Sequence, residues 1–264
     1  MRFTAGTLGG TAFRAGGTAS MASEILNGRS ALVTGGARRI GREIALALAR
    51  AGADVAITYR DSSGEAAETA GALESCGHRA LAVRCDVRSE NSVRACVDAV
   101  TDRFGRLDIL VNNAGVFHAA VLEEITIEEW DEVFETNVRG AFLMARAALG
   151  ALLATEGRIV NIGSLGGIHA WAGHTHYCAS KAALHMLTQT MAKALAPRVS
   201  VNCVAPGWID AEGQPAERAA HFAAKTPMRR NGTVEEIAEA VLFFAAGPRF
   251  VTGQILAVDG GLGL

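Results

Sequence analysis

Three residues carry types and spacing suited to proton transfer at a carbonyl: Ser164, Tyr177 and Lys181. Tyr177 and Lys181 stand four apart in Tyr-Cys-Ala-Ser-Lys, so a helix would place them on one face. A phenol with a reference pKa of about 10 is a poor acid–base catalyst near neutrality. A neighbouring ammonium favours the phenolate and is expected to draw that pKa towards neutral pH. Ser164 lies 13 residues before Tyr177, just after a β-rich run, where its hydroxyl can hold a carbonyl oxygen. Alone, a Tyr-x-x-x-Lys pair is an ordinary amphipathic helix face. What lies upstream gives it weight.

Upstream is Thr34-Gly35-Gly36-Ala37-Arg38-Arg39-Ile40-Gly41, between a strand-like run and a helical one. Glycine permits the tight turn, and a helix N-terminus offers free N–H groups to a pyrophosphate. The second strand-like run ends at Thr58-Tyr59-Arg60. A site built for NAD places an acid near here for the ribose hydroxyls. Tyr59 is not acidic, and Arg60 with Arg38 could clamp a 2′-phosphate in their planar donor geometry, so the expected cofactor is NADPH. Asp86 and Val87 are candidates to hold the adenine, and Asn113-Ala114-Gly115 would let a cofactor approach the backbone closely. Read singly, these are surface arginines and ordinary turns; together they form a dinucleotide site.

The elements that must position these residues follow from the hydrophobic pattern. Short apolar runs at Ala31–Thr34, Val55–Tyr59, Ala80–Cys85, Ile109–Asn112, Arg158–Ile162, Val199–Val204 and Gln254–Val258 read as strands buried on both faces. Between them lie helical stretches at Ile40–Ala51, Gly64–Ser75, Glu90–Phe104, Ile127–Leu153, Thr175–Ala196 and Val234–Ala246. This alternation predicts an α/β chain: a single doubly wound Rossmann domain over residues 24–264, with a seven-stranded parallel sheet and helices on both faces. Residues 1–23 hold two arginines and no acid; they are read as a disordered extension, or as lying upstream of a natural start at Met21, rather than as a transit peptide.

Composition narrows the classes. The 264 residues carry 25 basic and 27 acidic side chains, a net charge of −2, which disfavours a nucleic-acid partner. No uncharged apolar run approaches the roughly 18 to 20 residues that span a bilayer, so no membrane is expected. Five dispersed cysteines read as reduced thiols in a cytoplasmic protein. His169, His174 and His176 do not match a ligand helix, and no metal is predicted.

From about Gly28 to the C-terminus the chain resembles the short-chain dehydrogenase/reductase family. The resemblance rests on Thr34-Gly35…Gly41, Asp86, Asn112-Asn113-Ala114-Gly115, Asn137, Ser164, Tyr177/Lys181, Pro206-Gly207 and Asp259-Gly260-Gly261. It implies that Tyr177 donates the proton in carbonyl reduction. Lys181 would bind the nicotinamide ribose and lower the phenol's pKa, Ser164 would orient the carbonyl, and Asn137 would hold a water in the relay. It also implies cofactor contacts at Pro206, Gly207 and the Ile209 backbone, a mobile substrate lid over residues 210–230, and a homotetramer built on the 127–153 and 175–196 helices and the last strand.

Two departures bear on substrate. Arg39 replaces the family's second loop glycine, a change similar to pteridine reductases, and Asp210 stands where a threonine often meets the nicotinamide amide. Pteridine reductases, however, carry an aspartate at the Ser164 position and lack the equivalent of Gly115. The chain therefore looks more like a 3-oxoacyl-carrier-protein reductase, and a β-ketoacyl or similar activated ketone is the expected substrate. The alternatives are a pteridine or dihydrofolate-type reductase and a catalytically silent cofactor-binding regulator.

Overall fold

The computed structural model describes residues 24–210 and 215–264. The expected N-terminal extension over 1–23 lies outside the described residues, as do residues 211–214 of the expected lid. Seven parallel strands form one sheet in the order β3-β2-β1-β4-β5-β6-β7. They are β1 Ser30–Val33, β2 Asp54–Tyr59, β3 Ala80–Arg84, β4 Ile109–Asn112, β5 Arg158–Ile162, β6 Ser200–Pro206 and β7 Ile255–Val258. β1, β4 and β5 are buried along their whole length, as continuous apolar runs require when helices cover both faces.

The helices are α1 Arg39–Arg50, α2 Ser63–Glu74, α3 Glu90–Phe104, α4 Ile127–Phe134, α5 Gly140–Thr155, α6 Thr175–Leu195, α7 Ala216–Lys225 and α8 Val234–Ala246. On one side, Ile44 and Leu48 of α1 and Ile237 and Val241 of α8 close a core over Val33, Ile57 and Val111. On the other, Val97 of α3, Met144 and Leu152 of α5 and Ala192 of α6 close a second core over Leu32, Leu110 and Ile159. β1 pairs with β2 on one edge and β4 on the other, so the winding reverses there. In such sheets the ligand crevice opens at the carboxyl ends of the strands flanking the reversal.

One expectation needs correction, and one helix was not foreseen. The stretch 127–153 is not one α-helix: α4 passes through a π turn at Glu135–Arg139 before α5 begins. The stretch 210–230 contains α7, with Pro215 as its N-cap. The run Ile127–Thr155 is long and apolar enough to cross a bilayer by composition. Here Val133, Leu143, Met144, Ala148 and Leu152 of that run are buried in the protein interior.

Candidate active site

Hydrogen bonds stitch the loops after β1 and β4 into one floor. Thr34 Oγ1 accepts from the Asn113 and Ala114 amides at 3.0 and 2.9 Å. Asn113 Nδ2 donates back to the Thr34 and Gly35 carbonyls at 2.9 and 3.1 Å. Gly35 sits at φ +64°, where a Cβ would lie 3.1 Å from Ala114 Cα, and a Cβ on Gly41 would collide with the Gly35 carbonyl and Asn113 Nδ2. Glycine is required at both. Arg39, by contrast, holds φ +52° with a full side chain, a backbone cost on the order of 1–3 kcal/mol.

The floor opens into a cleft of about 720 Å³ that takes in Gly35, Arg38, Arg39, Ile40, Gly41, Tyr59, Arg60, Asp86, Val87, Asn113, Ala114, Gly115, Ser164, Tyr177, Lys181, Pro206, Gly207 and Ile209. Every residue expected at the cofactor is thus brought to one crevice. Arg38 and Arg39 are exposed and make no side-chain hydrogen bond or ion pair among the described residues. Arg60 is different: its Nε donates to Asp61 Oδ2 at 2.7 Å. Tyr59 is not an acid, but the acid two residues on competes for Arg60. Asp86 is gripped by Arg88 through Nε and Nη2 at 3.0 and 2.8 Å, which holds its carboxyl below the usual range.

Asn137 lies in the π turn, a device that recurs at functional sites. Its Oδ1 accepts from the Val116 amide at 2.8 Å, and its Nδ2 donates to the Val116 carbonyl and Ser180 Oγ at 3.0 and 3.1 Å. A Cβ on Gly115 would press within 3.1 Å of Asn137 Oδ1 and 3.6 Å of Lys181 Nζ, so glycine keeps this corner open.

Ser164 caps the turn after β5, its Oγ accepting from the Gly166 amide at 3.1 Å. Tyr177 stands in the first turn of α6, partly exposed and lining the cleft beside Ser164. One helical turn on, Lys181 is buried, donates from Nζ to the Ile162 carbonyl at 2.8 Å and lies 5.8 Å from the Tyr177 ring centroid. Burial pushes Tyr177 up to about 12, opposed by its hydrogen bond with Ser164. Burial pushes Lys181 down to about 8. The phenol is thus raised by burial, and the influence that opposes this comes from Ser164 rather than from Lys181.

Aromatic side chains wall the other half, and of these Trp171 escaped the reading of the sequence. Phe117 meets Tyr177 edge-on at 4.7 Å, and Trp171 lies nearly parallel to it at 6.2 Å and 18°. Trp208, after β6, stacks on Phe222 of α7 at 4.1 Å. The only signal for Trp171 was an aromatic residue on a loop beyond a strand end. Asp210, the replaced threonine position, accepts from Asn231 Nδ2 at 2.8 Å, and the same amide reaches the Ala219 carbonyl of α7. Among the described residues no group of His, Cys, Asp and Glu side chains could hold a metal ion.

A family model described as Enoyl-(Acyl carrier protein) reductase matches residues 35–263, nearly the whole described domain. A 3-oxoacyl-[acyl-carrier-protein] reductase FabG of Vibrio cholerae is 39% identical over 243 residues, covering 90% of this chain and 98% of the relative. The chain belongs to the short-chain dehydrogenase/reductase family. This short-chain dehydrogenase/reductase is also 42% identical over 240 residues to a cis-4-hydroxycyclohexanecarboxylate dehydrogenase of Sinomonas cyclohexanicum, with 88% of the chain and 96% of the relative covered. Among solved structures it is similar to a short-chain dehydrogenase from Burkholderia cenocepacia in complex with NADP, at a TM-score of 0.86 and 40% identity, covering 91% of this chain and all of that one. The parallel sheet and its surrounding helices are the family's fold, and the chain is an oxidoreductase of that family.

Proposed function

We propose that the protein is an NADPH-dependent ketoreductase acting on a β-ketoacyl or similarly activated ketone. The observation that carries the reading is the placing of Tyr177 beside Ser164 and one helical turn from buried Lys181, all three lining one cleft with the glycine loop. A reduction leaves a developing alkoxide that must receive a proton, and a neutral phenol is the form that can give one. Ser164 donates a hydrogen bond to the carbonyl oxygen and orients it beside the phenol. Lys181, charged below about pH 8, supplies a cation to the ribose side of the cleft and stabilises the phenolate left after transfer. Asn137, locked through Val116 and Ser180, positions the inner end of the proton path.

The residues present fit NADPH. Gly35 and Gly41 let the loop close on Asn113 and Ala114 where a Cβ would clash, and Arg38 and Arg39 are cations at the cleft's edge without carboxylate partners among the described residues. When bound, the nicotinamide supplies the hydride. The NADP-bound Burkholderia neighbour supports this choice. Ser164, which cannot protonate a ring nitrogen as an acid would, speaks for a ketone over a pteridine. A cyclic ketone is a second reading, favoured by the Phe117–Trp171–Trp208 wall and by the Sinomonas relative named for a ring substrate. The test is NADPH consumption with acetoacetyl thioesters, a cyclohexanone and dihydrobiopterin in parallel. Turnover of dihydrobiopterin alone would overturn the ketone reading, and no turnover of any would favour a silent cofactor-binding protein.

We further infer a homotetramer. Trp130, Phe142 and Met186 on the α4–α6 faces and Phe243 and Leu256 on α8 and β7 are exposed apolar side chains that partner subunits could cover.

A further inference from the structure

Among the described residues six basic side chains line the cleft: Arg38, Arg39, Arg60, Arg88, Lys181 and Arg218. Five of these are accounted for at the cofactor end or by partners. Asp61 takes Arg60, Asp86 takes Arg88, and Lys181 is spent on the Ile162 carbonyl beside the phenol. Arg38 caps α1 beside the glycine loop proposed to hold the dinucleotide, and Arg39 follows it directly. Arg218 remains.

Arg218 belongs to α7, across the crevice from the glycine loop. Its guanidinium lies 5.4 Å from the centre of the Trp208 ring, and it has no carboxylate or hydrogen-bond partner among the described residues. Trp208 is itself fixed by stacking on Phe222, so the cation is held against a rigid wall. The other side chains on this half of the cleft are Val116, Phe117, Trp171, Pro215 and Tyr177, with Ser164 at the reacting end. Among the described residues no acid lines this half. An apolar pocket with one charged side chain at its rim selects an apolar body carrying one opposite charge.

Resting on the ketoreductase reading, we propose that the substrate is a keto acid: an apolar, ring-sized ketone whose carboxylate is received by Arg218 while its carbonyl lies between Ser164 and Tyr177. A guanidinium matches a carboxylate in two-point geometry, and stacking on Trp208 restricts it in advance, so less freedom is lost on binding.

The experiment compares oxocyclohexanecarboxylate with its methyl ester, which keeps the ring and ketone and loses the charge. Wild type should show a KM for the acid at least about tenfold below that for the ester. Arg218→Ala should raise the acid's KM about tenfold or more, leave the ester's KM, the kcat of both and the affinity for NADPH unchanged, and Arg218→Lys should recover part of the loss. Equal KM values for acid and ester in wild type, or a parallel rise for both in Arg218→Ala, would overturn the proposal. So would a drop in NADPH affinity, which would assign Arg218 to the cofactor instead. Binding of both compounds to the NADPH-loaded protein, followed by tryptophan fluorescence, separates this from the reaction itself. Arg218-dependent preference for the acid without turnover would keep the carboxylate site and sink the ketoreductase reading, whereas binding without such preference would sink the carboxylate site.

Discussion

Arg38 and Arg60 should contribute unequally to NADPH affinity, and the inequality can be worked from their surroundings. Each can make charge-assisted contacts to a 2′-phosphate, worth roughly 1.5–3 kcal/mol apiece. Arg38 has no competing partner among the described residues, so Arg38→Ala should lose that whole amount, about tenfold to a hundredfold in affinity. Arg60 must first leave Asp61, an exposed pair with side chains 46% and 69% accessible. Such a pair is worth about 0–1 kcal/mol, so Arg60→Ala should cost less, on the order of 0.5–3 kcal/mol. Asp61→Asn should then tighten NADPH up to about fivefold, because it releases Arg60 and removes a negative charge near the phosphate. NADH, which lacks the 2′-phosphate, should bind the arginine variants as it binds wild type. Fluorescence titration of both cofactors on the four proteins measures each quantity. The reasoning fails if Arg38→Ala weakens NADH and NADPH alike, or if Asp61→Asn weakens NADPH.

Tyr177→Phe should reduce turnover by several orders of magnitude with NADPH affinity nearly unchanged, since it removes the proton donor alone; steady-state rates beside a cofactor titration check it. Lys181→Met should abolish efficient reduction yet raise the Tm of the ligand-free protein at neutral pH. The folded-state pKa of Lys181 lies near 8 against 10.5 in the unfolded chain, so wild type gains stability as pH rises from about 8 to 10.5. The variant's advantage should shrink over that window, and a pH-independent difference in thermal scans would show that burial of the charge is not its cause. Light scattering should give a mass of four chains; a monomer would refute the assembly.

Much of this was legible in the sequence because it is local. Tyr177 and Lys181 share a face through helical spacing, Ser164 follows a strand, and the strands at Ile109–Asn112 and Arg158–Ile162 fall where their apolar runs do. What escaped depends on contacts between distant segments. The π turn at Glu135–Arg139 leaves no mark in a continuous amphipathic pattern, although it places Asn137. The burial that pushes the Tyr177 phenol up arises from β5, α6 and their loops closing together, which no spacing rule reports. Some signals were present and unread. Asp61 sat beside Arg60, and Pro215 before an alanine-rich run ending in Lys225 is an ordinary helix start and finish.

The strand order also has a kinetic side. β1 registers Ala31 against Ile109, a separation of 78 residues, before the sheet's middle exists. A chain emerging from the ribosome can build β1, α1 and β2 at once, but the other side of β1 stays bare until β4 is made. Parallel topologies of such long sequence separation condense slowly, in milliseconds to seconds. Throughout that interval Leu32 and Val33, fully buried at the end, belong to an unpaired apolar edge. Refolding yield should therefore depend on protein concentration more than final stability does, and chaperone demand should peak while the chain is half synthesised.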